Sequence, residues 1–176
     1  MEPLKKILQT TFEFEKDIDN VYLKKFVFIF TELGSSIGAI TVMLAISMIS
    51  GYRSLFVFIP VYLTQLIIAE LIKFILKRPR PNKTSNRNLW GMTFSSGAFP
   101  SGHTSNIFTL ATIMTLYYKY NIFITIIVFT IAGLIAISRI FLGKHYLIDI
   151  IGGALLGLSI SILGSLTLAN LLPMFI

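Results

Sequence analysis

The feature of this sequence that most restricts its fold is a set of five apolar runs, each close to the length of a membrane-spanning helix. A helix needs about 20 mostly apolar residues to cross the hydrocarbon core of a bilayer. Of the 176 residues, 55% are apolar and only 13% are charged, whereas about a quarter of the residues in soluble domains are charged. The runs occupy residues 26–48, 55–76, 102–118, 122–141 and 147–173. The sequence therefore predicts an all-α fold, an integral-membrane bundle of five transmembrane helices.

Residues 1–25 differ from these runs because charged and apolar side chains are mixed in them. Five Lys balance five acidic residues, and apolar side chains such as Leu4, Ile7, Leu8 and Phe12 are spaced loosely as on one face of a helix. This pattern favours an amphipathic helix that lies in the membrane interface. It lacks the continuous apolar core and small-residue cleavage site of a signal peptide. We expect a single domain over residues 1–176, made of this interfacial helix and the bundle.

The long polar loop at residues 77–101 is the exception among otherwise short connections. Loops longer than about 12 to 15 residues are usually functional or disordered, so this one is the expected active-site loop. With five crossings it shares a membrane face with the N-terminus and with the connection between the last two runs. That face carries 13 of the 15 Lys and Arg residues and both histidines. Trp90 in the loop is either an interfacial anchor or part of a lid that admits a lipid headgroup.

A first polar cluster lies where the second run passes into this loop. Pro79 and Pro81 disfavour helix for the residues before them, so Lys73 should occupy the last helical turn, with Arg78 and Arg80 beyond it. Basic residues at a helix end commonly reach back to the membrane interface. The alternative is a rigid clamp for an anion, with the prolines fixing the direction of Arg80.

A second cluster, Pro100-Ser101-Gly102-His103, stands directly before the third run. Serine is a favoured N-cap, and the free N–H groups of the first helical turn, at the positive end of the helix dipole, bind anions. The cluster is therefore either an anion site with His103 at its mouth or an ordinary capped helix with an incidental histidine.

A third cluster links the fourth and fifth runs and contains Arg139, His145 and Asp149. Placed i, i+4 on one helix, Asp149 could accept the imidazole N–H of His145 and leave the other ring nitrogen free as a nucleophile. The same helical row continues in small residues that favour close helix packing, namely Gly153, Gly157, Ser161 and Ser165.

In this order the three clusters resemble the signature of the type 2 phosphatidic acid phosphatase family. The signature reads Lys-x6-Arg-Pro, Pro-Ser-Gly-His and Ser-Arg-x5-His-x3-Asp, and every fixed letter is present between Lys73 and Asp149. The resemblance implies a membrane lipid phosphatase in which His145 attacks phosphorus and forms a phosphohistidine, with Asp149 orienting it. His103 would be the general acid and then the general base.

The same resemblance implies the groups that hold the phosphoryl oxygens. They are Lys73, Arg80, the Ser101 hydroxyl, the Gly102 N–H and Arg139. No metal and no other cofactor is expected, because the sequence has no cysteine and its two histidines and Asp149 leave no spare ligand set with zinc spacing.

Two carboxylates within the first two runs, Glu32 and Glu70, fall outside the signature. A carboxylate at membrane depth needs a partner. Glu70 is three residues before Lys73 and is expected either to position that lysine or to make a purely structural bond. Glu32 lies in the half of the first run nearer the reactive face and is expected to support the site or contact lipid.

The implied substrate is a membrane lipid phosphate, with phosphatidylglycerol phosphate, phosphatidic acid, undecaprenyl pyrophosphate and lipid A 1-phosphate as candidates. The compact size is similar to that of bacterial members, which suggests a lipid A 1-phosphatase-like or phosphatidylglycerophosphatase-like enzyme of the inner membrane. Vanadium haloperoxidases share the signature, but they are soluble. A non-enzymatic lipid-phosphate or anion carrier is the alternative, although it would need no nucleophile and no proton donor.

The charge distribution bears on partners and orientation. The net charge of +7 does not indicate nucleic-acid binding, because the basic residues punctuate apolar runs and form no polar stripe; no protein partner is predicted. The positive-inside rule places the basic, reactive face in the cytoplasm. Bacterial members of the family commonly act on the outer face of the inner membrane, and we expect the active site to face the periplasm.

Overall fold

The computed structural model describes residues 21–81 and 97–171, with side chains as far as Leu168. Within these ranges the chain forms helices and no strand, which confirms the all-α prediction for this part. The helices are α1 (Val21–Thr31), α2 (Ser36–Ser50), α3 (Leu55–Leu76), α4 (Gly102–Tyr117), α5 (Ile122–Phe141) and α6 (Leu147–Leu171). Most of the expected interfacial helix, residues 1–20, lies outside the described residues, as do residues 82–96 of the long loop.

The continuous hydropathy of the first apolar run suggested one straight helix. The structure shows two helices instead. Helices α1 and α2 meet at 65°, and a single 3-10 turn, Glu32–Gly34, joins them. The polar pair after this turn starts the new helix, since the Ser35 hydroxyl accepts the Gly38 N–H at 3.0 Å and donates to the Glu32 carbonyl at 2.7 Å. The described part of α1, Val21–Thr31, also includes residues of the stretch expected to lie in the interface.

Three helical segments are long and apolar enough to cross a membrane, namely Tyr52–Leu76, Ile122–Phe141 and Leu147–Leu168. The bent pair of α1 and α2 is a fourth if it is one span. Helix α4 has only 16 residues, so helix length alone does not establish five crossings. Large apolar side chains point outward along these segments, and a water-soluble surface rarely carries so many. These helices form an integral-membrane bundle.

Helix α4 lies at the centre of this bundle, which explains why this short helix is also rich in polar residues. It contacts α2, α3, α5 and α6. Its polar side chains are buried and bond to neighbouring helices: Ser105 accepts from Gln65 at 2.8 Å, and Asn106 donates to the Gly34 carbonyl at 3.1 Å. Inter-helix hydrogen bonds of this kind replace the water that a buried polar group lacks in a membrane.

Helices α4 and α6 touch backbone to backbone through the small-residue row of α6. A Cβ atom added at Gly153 would lie 2.7 Å from the Ser101 carbonyl oxygen, and one at Gly157 would lie 2.6 Å from that of Ser105. The Ser101 N–H also donates to the Asp149 carbonyl at 2.9 Å. The second and third polar clusters of the sequence are therefore held against each other.

The antiparallel order of the helices brings all the signature residues to one end of the bundle. Helices α3 and α5 end there, and α4 and α6 begin there. The chain leaves α3 through Lys77, whose left-handed φ of 43° closes the helix with an N–H bond to the Lys73 carbonyl. The break between α1 and α2 lies against α4 at this same end.

Candidate active site

The cationic rim of the site begins at the end of α3. Lys73 lies in the last turn of that helix, where the prolines predict it, and its ammonium donates to the Glu70 carboxylate. A Cβ atom added at Gly102 would lie 3.1 Å from the Lys73 Nζ. The ammonium therefore lies directly over the first turn of α4, in close contact with the place that a side chain at residue 102 would take.

Arg80 follows on the extended segment beyond α3. Its Nε is buried and has no hydrogen-bond partner. Burial lowers the pKa of the Arg80 guanidinium from its ordinary value, while the negative charges of Asp149 and Glu70 act in the opposite direction. Arg80 as a whole is half-buried, and its buried, unpartnered N–H is prepared for an anionic ligand.

Ser101 takes the N-cap position of α4 but does not cap it as the sequence suggested. Its hydroxyl makes no bond to the N–H groups of the first turn; it accepts from the Thr104 hydroxyl at 3.0 Å. The residue is fully buried. The first turn of α4 therefore lacks its usual side-chain acceptor, and its N–H groups stay available to another anion.

His145 and Asp149 do not share a helix, contrary to the expectation from their spacing. His145 lies in the connection before α6, which begins at Leu147. The two side chains still face each other, with His145 Nδ1 3.7 Å from Asp149 Oδ2, which is longer than a hydrogen bond. The nitrogen Nε2 is thus on the side of the ring away from the carboxylate.

His145 is kept neutral by its surroundings. The residue is 3% exposed. Burial lowers the pKa of His145 to about 4, with the charges of Arg139 and Arg80 acting in the same direction and Asp149 acting against them. A neutral imidazole has a lone pair, which a nucleophile requires.

Asp149 is completely buried and is held by two donors. Its Oδ1 accepts from Arg78 Nη1 at 2.9 Å, and its Oδ2 accepts the Tyr146 N–H at 2.9 Å. Sequence reasoning placed Arg78 beyond the helix but gave it no role. Its position, directly before Pro79 and two residues before Arg80, pointed only to the cationic rim.

The break in the first run supplies a further wall. Arg139 is 1% exposed, and its Nη1 donates to the Thr31 hydroxyl at 3.3 Å, while its Nε has no partner. Glu32 follows Thr31 in the chain. Its Oε1 lies 3.9 Å from His103 Nε2, and neither of its carboxylate oxygens has a hydrogen-bond partner. Gly34 packs on the same histidine, since a Cβ atom there would lie 2.9 Å from the His103 carbonyl oxygen.

These groups form one site rather than separate clusters. The cationic side chains of Arg139, Lys144 and Lys73 all lie close enough to act on His103. The sequence reasoning gave no role to Lys144. This residue is buried and directly precedes His145, with its ammonium 4.9 Å from the centre of the Phe28 ring. Two histidines, several cations and a helix N-terminus thus converge at one end of the bundle, an arrangement suited to phosphoryl transfer.

Comparison with known proteins identifies the family. Residues 54–172 match the model of the PAP2 superfamily. The chain belongs to the PAP2 superfamily. The match includes every residue of the three-part signature from Lys73 to Asp149, and it leaves out the bent first run, with Glu32 and Thr31.

Two curated PAP2 relatives are similar over part of their length. Phosphatidylglycerophosphatase B of Bacillus subtilis is 30% identical over 106 residues, which is 56% of this chain and 50% of that protein. A lipid A 4′-phosphatase of Porphyromonas gingivalis is 33% identical over 72 residues, 41% of this chain and 30% of the relative. The chain thus spans half or less of the curated relatives it matches.

Two solved structures share the fold. A transmembrane PAP2-type phosphatidylglycerolphosphate phosphatase from Bacillus subtilis superposes with a TM-score of 0.73 at 25% identity, covering 97% of this chain and 88% of that one. Aquifex aeolicus LpxE superposes with a TM-score of 0.70 at 24% identity, covering 93% of each chain. Both superpositions include the bent first run as well as residues 54–172, the segment that matches the family model.

Two expectations for the PAP2 site stay predictions. Trp90 lies outside the described residues. Among residues 21–81 and 97–171, no three His, Cys, Asp or Glu side chains come together as a metal-binding group. Independence from metal is a matter for an activity assay.

Proposed function

We propose that this protein is a membrane lipid phosphatase that hydrolyses a phosphomonoester or pyrophosphate of a lipid through a phosphohistidine at His145. The observation that carries the proposal is the pairing of a buried, neutral His145 with a second histidine amid buried cations. A carrier for lipid phosphates would need the cations, but it would gain nothing from a buried nucleophile opposite a proton donor.

In the first step, His145 Nε2 attacks phosphorus in line. The N–P bond forms as the bond from phosphorus to the lipid oxygen breaks, and His103 donates a proton to that leaving oxygen. The ring of His145 becomes cationic when it is phosphorylated. The Asp149 carboxylate on its Nδ1 side stabilises that charge and fixes the ring orientation.

In the second step, water attacks the phosphohistidine. His103, now neutral, takes a proton from the water, the N–P bond breaks, and inorganic phosphate leaves. Both steps pass through transition states whose charge spreads over the phosphoryl oxygens. Stabilisation of that charge is the larger part of catalysis in phosphoryl transfer.

The cationic groups take the roles that the signature implies. Lys73, Arg80 and Arg139 neutralise the oxygens, and the Gly102 N–H and Ser101 hydroxyl bond to them. These fixed charges do the work that magnesium does in kinases, so the reaction as proposed needs no metal. Glu70 holds Lys73 over the start of α4.

Glu32 supports the proton donor. Its unpartnered carboxylate lies 3.9 Å from His103 Nε2, close enough to favour the charged imidazolium that donates the proton. On this basis the bend in the first run belongs to the mechanism, because it turns Glu32 towards the centre of the bundle.

The substrate class is proposed as a lipid with an exposed terminal phosphate. Phosphatidylglycerol phosphate stands first, because this chain is similar to the Bacillus subtilis phosphatidylglycerophosphatase B over 106 residues and to the phosphatidylglycerolphosphate phosphatase structure over 97% of its own length. A lipid A phosphate stands second, supported by the likeness to a lipid A 4′-phosphatase. Phosphatidic acid and undecaprenyl pyrophosphate complete the panel.

We propose five crossings of the bacterial inner membrane, with α1 and α2 together as one and the short α4 as another. The reactive end then faces the periplasm and Ile176 the cytoplasm. A phosphatase reporter fused after Ile176 should be inactive and a fluorescent protein fused there should be bright. The reverse pair of results would place the reactive end in the cytoplasm.

The experiment that tests the proposed activity is phosphate release from this panel of detergent-solubilised lipids in EDTA. Wild type should turn over at least one lipid, and His145→Ala should abolish that turnover. Folded wild-type protein that binds a lipid phosphate but hydrolyses none would favour the carrier. Turnover that His145→Ala leaves intact would instead refute the phosphohistidine at His145.

A further inference from the structure

We infer that Arg78 is a positioning residue for the nucleophile, acting on His145 through Asp149; the inference rests on the proposed function. The family signature has no fixed letter at this position, since Arg78 falls among the six variable residues between Lys73 and Arg80. Among the described residues, its guanidinium nonetheless makes the one ion pair with the Oδ1 oxygen of Asp149.

Asp149 depends on such a partner. The carboxylate is fully buried, and an unpaired carboxylate inside a protein is so costly that it is neutralised. Arg78 Nη1 donates to Oδ1 at 2.9 Å, and the Tyr146 N–H donates to Oδ2 at 2.9 Å. Both oxygens are thereby fixed, and Oδ2 is the one that faces His145 Nδ1 at 3.7 Å.

The guanidinium is itself fixed on its other sides. It stacks on the Tyr146 ring, with 4.9 Å between the Arg78 Cζ and the ring centre. The Arg78 carbonyl accepts the N–H of the fully buried Ala98 at 2.8 Å. Arg78 thus links the segment after α3 to the start of α6, and its planar group is oriented by two contacts at once.

This geometry separates Arg78 from the phosphate ligands. The cations whose charge acts on His145 are Arg139 and Arg80, and both keep an unpartnered Nε. Arg78 directs its Nη1 at Asp149 instead. Removing Arg78 should leave substrate binding intact, while the Asp149 carboxylate is no longer held in place against His145, so kcat should fall and KM should stay unchanged.

The test compares Arg78→Gln, Arg78→Lys and the neighbouring control Lys77→Gln. A hydrogen bond to a charged group is worth roughly 10- to 100-fold, so Arg78→Gln should lower kcat by about that factor with KM within about twofold. Arg78→Lys keeps a donor for Oδ1 and should recover part of the loss. Lys77 is exposed, with its ammonium over the Phe74 ring at 5.2 Å, and Lys77→Gln should behave as wild type.

A double-mutant cycle shows whether the effect passes through Asp149. Adding Arg78→Gln to Asp149→Asn should cost no further activity, because the group that Arg78 holds is already neutral. A further loss as large as in the wild-type background would overturn the inference. So would an increase in KM at unchanged kcat, which would make Arg78 a substrate ligand.

The same cycle in thermal stability keeps the inference separate from the proposed activity. Arg78→Gln should lower Tm in the wild-type background, where it leaves a buried carboxylate unpaired, and should lower it much less in the Asp149→Asn background. If wild type hydrolyses no lipid phosphate, the proposed function fails and this Tm cycle still decides the pairing. Equal Tm losses in both backgrounds would refute it.

Discussion

Replacing Gly153 by alanine should slow phosphate release by pushing helices α4 and α6 apart. The Cβ of Gly153→Ala would lie 2.7 Å from the Ser101 carbonyl oxygen and 3.1 Å from the Thr104 Cβ. The nearer atom belongs to the backbone, so no side-chain rotation relieves the contact. Helix α4, which carries His103, must move away from α6, which carries Asp149.

The size of this movement follows from the distance between the added Cβ and the Ser101 carbonyl oxygen. Ordinary van der Waals contact begins at 3.4 Å, so the backbones must separate by about 0.7 Å. A misplacement of 1 Å in an active site costs about 100-fold in rate, which gives an expected loss of about 10- to 100-fold in kcat. Overpacking costs roughly 1–3 kcal/mol, partly offset by about 1 kcal/mol from the better helix propensity of alanine.

The matched control is Gly133→Ala on α5, where nothing lies within 4 Å of the added Cβ. Phosphate release and Tm in detergent are measured for both variants and wild type. Gly133→Ala should keep wild-type kcat and Tm. If Gly153→Ala also keeps both, the close approach of α4 and α6 does not set the geometry of the site.

Four further outcomes are expected. Because burial lowers the pKa of His145 to about 4, the neutral nucleophile persists as pH falls, and kcat/KM should decline only as the pH approaches 4; an acid limb near the ordinary histidine value of about 6.5 would contradict this. Activity should be unchanged in EDTA, and loss restored by a divalent ion would show a metal requirement. Glu32→Gln should slow hydrolysis of a lipid substrate about tenfold, a part of the 10²–10⁴-fold that general acid catalysis contributes. It should slow hydrolysis of p-nitrophenyl phosphate much less, because the phenolate leaves without a proton. Equal losses with the two substrates would exclude Glu32 from the protonation step. Glu70→Gln frees Lys73 and should lower kcat/KM by about 2- to 10-fold, as expected for a charge-assisted bond at a partly exposed site; unchanged turnover would refute its positioning role.

The helices could be predicted from the sequence where one simple signal sets each end. Helix α3 spans Leu55–Leu76 and α5 spans Ile122–Phe141, the ranges of two apolar runs, because Pro79 stops the first and Asn121 caps the second. The Asn121 side chain accepts the N–H groups of Phe123 and Ile124. Hydropathy and capping act there within a few residues.

The bend between α1 and α2 could not be read in the same way. Hydropathy is continuous across it, and the break depends on contacts distant in sequence, such as the Asn106 bond to the Gly34 carbonyl and the Ser138 bond to the Thr31 hydroxyl at 2.9 Å. No local pattern encodes partners that lie about 70 or 100 residues away in the chain.

The candidate site shows the same division. The signature indicates which residues converge, but spacing alone misplaced His145 on the helix of Asp149, since the helix begins only at Leu147. It also gave no role to Arg78 and Lys144, whose importance depends on what the fold brings beside them. A basic residue near a membrane helix end usually faces the interface, and only packing distinguishes the exceptions.

The measurement that tests the central claim most directly is capture of a phosphorylated histidine during turnover. Wild type mixed with a labelled lipid phosphate and quenched in alkali should carry label on the peptide containing His145, stable to base and lost in acid. His145→Ala should carry none. With labelled p-nitrophenyl phosphate, whose phenolate leaves without a proton, His103→Ala should carry label that persists because the water step is slowed. Rapid hydrolysis with no label on His145, or label retained in His145→Ala, would contradict the account.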